Sequence, residues 1–168
     1  RSADFLIDVL GADHHGYINR MKSALMMNGL REDTLSVELI QMVRLMKDGE
    51  EIKMSKRSGN AIKMRDLVSL VGIDACRYFF VARAASSHLD FDLGLAMSQS
   101  SSNPVYYAQY AHARICSVLK ASTIIKNDKY DLLIEEVECS LMKCLSEYDK
   151  IIEGAANERA PYRICNYV

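Results

Sequence analysis

Lys53-Met54-Ser55-Lys56-Arg57, followed at once by Ser58-Gly59-Asn60, is the stretch of this chain best suited to chemistry. It lies in a segment from Ile52 to Arg65 that holds Lys53, Lys56, Arg57, Lys63 and Arg65 and no acidic residue. Two lysines flanking a serine, with a glycine just beyond, suit a polyphosphate. The ammonium groups act as compact point charges, and Ser55 and the backbone N–H groups near Gly59 can add donors. Cations aimed at a leaving pyrophosphate stabilise attack at an α-phosphate. Read without its neighbours, the same run is a solvated basic surface loop.

A second cluster, Gly11-Ala12-Asp13-His14-His15, follows the apolar run Phe5 to Leu10. The run reads as a buried strand. Asp13 is a plausible helix N-cap, and Tyr17, Ile18, Met21, Ala24 and Leu25 follow at helical spacing until Asn28-Gly29. The cluster therefore falls at a strand-to-helix junction, where open α/β sheets bind ligands. Asp13 there has two readings, a partner for ribose hydroxyls or a plain cap. His14 and His15 either approach a nucleotide or stack and hydrogen-bond locally.

Other elements must hold these clusters in place. From Thr34 to Met46, residues Val37, Leu39, Val43 and Leu45 share one face of a strand interrupted by Gln41. Asp48-Gly49 is a two-residue hairpin turn, and the strand from Glu51 to Met54 runs into the lysine segment. Asp66 to Val71 reads as a short helix ended by Gly72. Asp74 is expected to cap the next helix, with Cys76, Phe79, Phe80 and Arg83 on one side. No strand signal appears after about Arg83. Asp92 to Ser102 is expected to be a helix of small residues, with Asp90 and Asp92 capping and orienting it. Asn103-Pro104 then serves as N-cap and first helical residue. Val105, Ala108, His112, Ile115 and Leu119 share a face of that helix. Asp131 to Ile152 is expected to be one long amphipathic helix closed by Gly154, and Asn157 to Pro161 starts another.

The 168 residues carry a net charge of −1, so no global basic signature points to nucleic acid. Five cysteines stand without a C-x-x-C pair, which suits reduced thiols in a cytoplasmic protein. No metal site is expected, because no Cys or further His lies near His14-His15. No apolar run approaches the ~20 residues needed to span a bilayer, and no membrane partner is expected. Both ends look cut, as in a piece of a larger protein.

The order of these parts resembles a class I aminoacyl-tRNA synthetase, whose lysine loop has the consensus K-M-S-K-S; here Arg57 stands at the final serine. Gly-Ala-Asp-His-His-Gly-Tyr-Ile (11–18), Leu-Asp-Phe-Asp-Leu (89–93), Asn-Pro-Val-Tyr-Tyr-Ala-Gln-Tyr-Ala-His-Ala-Arg (103–114) and Glu-Arg-Ala-Pro-Tyr-Arg (158–163) narrow it. Together they resemble the arginyl-tRNA synthetases of the bacterial type. The family's H-I-G-H signature is not in this chain. The resemblance implies an α/β fold class: the carboxyl-terminal half of a Rossmann-like catalytic domain over 1–90. Over 91–168 it implies a helical connector and the start of an anticodon-binding helical bundle.

It also implies roles. Lys53 and Lys56 act on the phosphates of ATP, which brings Mg²⁺ with it, and Met54 and Ser55 line that loop. Gly11 and Asp13 approach the ribose, with His14 and His15 beside it. Asn103, Tyr106, Tyr110 and Arg114 are candidates for tRNA contact, since aromatics with an arginine can stack bases and meet phosphate. Their alternative is packing against the catalytic half. The implied partners are tRNA(Arg) and L-arginine, with a monomeric parent. By itself the piece is expected to be inactive. The reading from another class is a non-catalytic helical module that binds RNA or protein.

Overall fold

The structure, a computed structural model, describes residues 3, 5–52, 62–123 and 130–168. The lysine segment 53–60 lies outside the described residues. The chain divides into two compact units, Arg1–Ala61 with Arg83–Leu93, and Ile62–Ala82 with Gly94–Val168.

The first unit opens with β1 (Leu6–Gly11), a 3₁₀ helix (Ala12–Tyr17) and α1 (Ile18–Met27). Asn28 and Gly29 stop α1 as the sequence predicts, with Gly29 at φ +81°. After a short 3₁₀ turn, β2 (Leu35–Ile40) lies parallel to β1, in register from Leu6↔Leu35 to Gly11↔Ile40. A parallel pair needs a crossover, and α1 supplies it.

The strand expected through Met46 is broken. Gln41 marks the break: its N–H donates to Ala85 O at 2.9 Å rather than continuing the ladder. β3 (Val43–Lys47) joins a second sheet, ordered β4-β3-β5. Asp48 and Gly49 take φ +53° and +83°, the positive values a two-residue hairpin turn demands. β4 (Glu50–Glu51) returns antiparallel to β3, and Ile52 N–H still donates to Leu45 O at 2.8 Å.

Contrary to the expectation of no strand beyond Arg83, Leu89–Asp92 forms β5, parallel to β3. The four residues Leu-Asp-Phe-Asp alternate strictly, but four residues are too few to stand out by periodicity alone. Leu89 and Phe91 point inward, Phe91 with no exposed surface, and they join Leu35, Leu45 and Leu93 in the core. Asp90 is no helix cap: it binds Arg44 on the opposite strand.

The second unit is helical. α2 (Met64–Val71) starts where the Asp66 carboxylate accepts from Lys63 N–H, and it ends at Gly72 with φ +85°. Gly72, not Asp74, precedes α3 (Ile73–Val81). Asp74 sits in its first turn and accepts from Gln109 Nε2 at 3.1 Å. Ala75, Cys76 and Phe79 form the buried side of α3, and Arg83 lies beyond its end. The helix expected over 92–102 is only α4 (Leu93–Met97). α5 (Pro104–Ala121) is about 27 Å long at ~1.5 Å per residue.

The helix expected from Asp131 to Ile152 is two, α6 (Glu136–Ser146) and α7 (Tyr148–Asn157), divided at Glu147. Across the break, Tyr167 Oη donates to Cys144 O at 2.8 Å, using a carbonyl near the end of α6. Gly154 sits inside α7 rather than closing it. A Cβ there would meet Arg163 Nη1 at 3.2 Å, and Arg163 in turn pairs with Glu158 at 2.5 Å. α8 (Tyr162–Tyr167) follows Pro161. Tyr78 Oη ties α3 to α8 through Cys165 O at 3.2 Å.

Candidate nucleotide corner and candidate nucleic-acid interface

The first candidate site is the corner at the carboxyl end of β1. Gly11 leaves the strand at φ −64°, ψ 149°, and Asp13 folds back over it. A Cβ on Gly11 would lie 2.5 Å from Asp13 Oδ1, so the absence of a side chain gives the carboxylate its place. Gly11 stands at the N-cap of the 3₁₀ helix and Tyr17 at that of α1, so Asp13 lies within the first turn, which corrects the N-cap reading. Its side chain is 78% exposed, with His14 Nε2 at 3.6 Å. His14 meets the Tyr17 ring edge-on at 5.8 Å, and the Arg20 guanidinium lies 5.6 Å from the Tyr17 centroid. No residue of the 3₁₀ helix is buried. The corner thus displays a carboxylate and two imidazoles to solvent beside a glycine that permits close approach. That donor and acceptor set can meet sugar hydroxyls. His15 shares the 3₁₀ helix and is exposed.

Lys53, Met54, Ser55 and Lys56 lie outside the described residues. The hairpin leading to them is described, and it carries a pair the sequence did not mark as functional. Arg44 Nε and Nη2 donate to Asp90 Oδ1 and Oδ2 at 2.7 and 2.8 Å. The hydrogen bonds from Arg44 hold the Asp90 carboxyl below the usual carboxylate range, and Asp90 raises Arg44 in turn. Only the register Arg44↔Asp90 brings these residues together, across 46 positions of sequence.

The second candidate site is the start of α5. Tyr106 and Tyr110 stack at 6.2 Å with ring planes 15° apart, and Arg114 Cζ lies 5.9 Å from the Tyr110 centroid. Spacing of four residues puts all three on one face of the helix. Tyr110 is 50% exposed. Tyr106 borders a cleft of about 470 Å³ lined also by Gly72, Asp74, Asn103 and Gln109.

Asn103 is different. It is 3% exposed, Oδ1 accepts from Val105 N–H, and Nδ2 donates to Ala96 O and Ser98 O. Its amide is committed to capping α5 and pinning the turn before it, which corrects its candidacy for RNA contact. Gln109, bonded to Asp74, was missed because nothing in sequence links positions 35 apart.

Among the described residues, no group of three or more His, Cys, Asp or Glu could hold a metal ion. No helix among them is long and apolar enough to cross a membrane.

Residues 108–168 match the family model of the DALR anticodon binding domain. The whole chain aligns at 50% identity with an arginine--tRNA ligase of Staphylococcus epidermidis, covering 100% of this chain and 31% of that protein. A Bacillus thuringiensis arginine--tRNA ligase is 51% identical over 99% of this chain and 31% of its own length. A solved Campylobacter jejuni structure described as an arginyl-tRNA synthetase matches with a TM-score of 0.86 and 39% identity, over 99% of this chain and 37% of that one. The Thermus thermophilus arginyl-tRNA synthetase shares the fold at a TM-score of 0.77 and 22% identity, over 98% of this chain and 31% of that one. The whole chain is similar to a stretch of these proteins, and it spans about a third of the length of the curated relatives it matches.

Proposed function

We propose that this chain is the part of an arginyl-tRNA synthetase that carries the lysine loop and the start of the anticodon-binding domain. Residues 1–90 are the carboxyl-terminal half of a Rossmann-like catalytic domain, and 91–168 begin the helical tRNA-binding part. The whole enzyme joins L-arginine to ATP, releases pyrophosphate, and transfers the arginyl group from the adenylate to tRNA(Arg). It works in the cytoplasm as a monomer. The observation that carries the reading is the unbroken similarity, at about half identity, across the full chain.

In this reading the substrate carboxylate is already the nucleophile, so no general base is needed. The protein's task is positioning and charge stabilisation, as in phosphoryl transfer generally. Lys53 and Lys56 neutralise charge on the pyrophosphate as it leaves, with Met54 and Ser55 shaping the loop. Mg²⁺ arrives with ATP. Asp13 accepts from ribose hydroxyls, Gly11 lets the sugar approach the backbone, and His14 and His15 border the nucleotide. Tyr106, Tyr110 and Arg114 offer a stacking face and a cation to tRNA.

The test is arginine-dependent exchange of pyrophosphate into ATP by the full-length enzyme, with Lys56→Ala alongside. Exchange that depends on arginine and on Lys56 supports the reading; exchange indifferent to either overturns it. The 168-residue chain alone is expected to show no aminoacylation. The α5 ladder favours a second reading for the chain in isolation, a helical RNA-binding module. A salt-sensitive shift with tRNA that Arg114→Ala abolishes supports that reading.

A further inference from the structure

The cleft of about 470 Å³ beside Tyr106 has no part in the roles assigned above. It lies wholly within the second unit, walled by the junction of α2 and α3, the turn after α4 and the start of α5. Its rim is apolar and open: Leu70, Ile73 and Met97 are 52%, 59% and 46% exposed. Asp74 and Gln109 supply polar groups to its wall. Gln109 Nε2 donates to Asp74 Oδ2 at 3.1 Å. A carboxylate only accepts, so the amide turns its nitrogen to Asp74 and its oxygen away. Asp74 Oδ1 and Gln109 Oε1 have no bonded partner among the described residues. Tyr106 also lines the cleft, and it heads the stack that continues through Tyr110 to Arg114.

We propose that this cleft seats one unpaired nucleobase of the RNA lying along α5, and that Asp74 and Gln109 select a base with an exocyclic amine. The proposal rests on the assignment of Tyr106, Tyr110 and Arg114 to tRNA. The volume falls within the ~300–1,000 Å³ of small-ligand sites. A base has two apolar faces and a polar edge. Leu70, Ile73, Met97 and Tyr106 suit the faces, and the two acceptors suit the edge. Stacking on a tyrosine tolerates any base. Two acceptors do not: the amines of cytosine, adenine and guanine donate to them, whereas O2 and O4 of uracil meet them oxygen to oxygen. A carboxylate accepting from cytosine N4 is one such pairing. The base must be unpaired, because pairing occupies that edge. A purely apolar occupant is disfavoured, since it would strip water from both acceptors and return no hydrogen bond.

The test is binding of six-nucleotide strands of C, A and U to the full-length enzyme at low salt, read by fluorescence anisotropy. The C and A strands are expected to bind about tenfold tighter than U, the scale of one hydrogen bond to a charged group. Asp74→Asn keeps the bond from Gln109 through its own Oδ1 and puts an N–H donor where the free oxygen was. It is expected to bring U to at least the affinity of C. Tyr106→Ala is expected to weaken all three strands by about fivefold or more with the order kept, because stacking does not discriminate. Should Asp74→Asn fail to fold, Met97→Trp fills the cleft from its open rim and is expected to erase the preference. Equal binding of all three strands by the native enzyme overturns the proposal. So does a preference that survives Asp74→Asn or Met97→Trp, or a loss in Asp74→Asn that is uniform across the strands. If Tyr110→Ala weakens every strand while Asp74→Asn leaves the order intact, the cleft proposal alone falls. If Tyr110→Ala and Arg114→Ala leave every affinity unchanged, the assignment of α5 to RNA falls with it.

Discussion

The corner after β1 and the start of α5 both set an arginine against a tyrosine at the surface, Arg20 on Tyr17 and Arg114 on Tyr110. They are built in opposite ways. The α5 face is assembled within one helix, by spacing of four and a buried cap. The corner is assembled from a strand end and a 3₁₀ helix with no buried residue. A face within one helix exists wherever the helix exists. A corner at a strand end exists only if that strand is held in register, which is why the pairing of β1 with β2 matters for the corner and not for the α5 face.

The largest effect should fall on the sheet side. Phe91→Ala removes a fully buried ring and should cost ~3–5 kcal/mol, measured by denaturant unfolding. Leu132→Ala, at a side chain 90% exposed, should stay within about 0.5 kcal/mol. Equal losses would break the contrast between a packed core and an open surface.

Next comes Lys56→Ala in the full-length enzyme. It should lower pyrophosphate exchange by ~10²–10³, the range for one transition-state charge contact, with tRNA affinity unchanged. Tyr110→Ala should do the reverse, weakening tRNA binding by ~1–3 kcal/mol if a base stacks there, with exchange unchanged. A variant that moved both readouts would show the two regions to be coupled.

Asn103→Ala should cost ~0.5–2 kcal/mol, the range for an N-cap. The loss should appear in thermal unfolding before it appears in RNA binding, because the amide is buried and bonded within its own unit.

The smallest effect is acid-dependent. Hydrogen bonds from Arg44 depress the Asp90 pKa on folding. Its contribution is therefore present above the ordinary carboxylate pKa and is lost as pH falls through the depressed folded value. The difference in Tm between the protein and Asp90→Asn should be visible at neutral pH and vanish in acid. A constant difference would mean that the pair contributes nothing through its charge.

Local features were legible in sequence because their causes are local. Asp48-Gly49 demanded positive φ and marked the hairpin. Asn28-Gly29 and Gly72 stopped their helices, and Asn103-Pro104 started α5. Where the cause lay elsewhere, the sequence misled. Asp90 looked like a cap because aspartates before a helical run usually are caps. Only a partner strand 46 residues earlier makes Leu89–Asp92 a strand and Asp90 an ion-pair partner. The run through Met46 kept its alternation across Gln41, and nothing local said that its halves join different sheets. The division at Glu147 was hidden by apolar spacing that continues past it.

The residues alone thus determined the turns, the helix stops at Asn28-Gly29 and Gly72, the start of α5 and the resemblance to the arginyl-tRNA synthetases, since spacing and motif are properties of the chain order. Tertiary structure alone decided that Asn103 is a buried cap rather than a free amide, that Asp13 lies over Gly11 without capping, and that Arg44 meets Asp90. Each of these depends on which backbone groups and charges a fold brings within hydrogen-bond reach, and that reach is set by packing between segments distant in sequence.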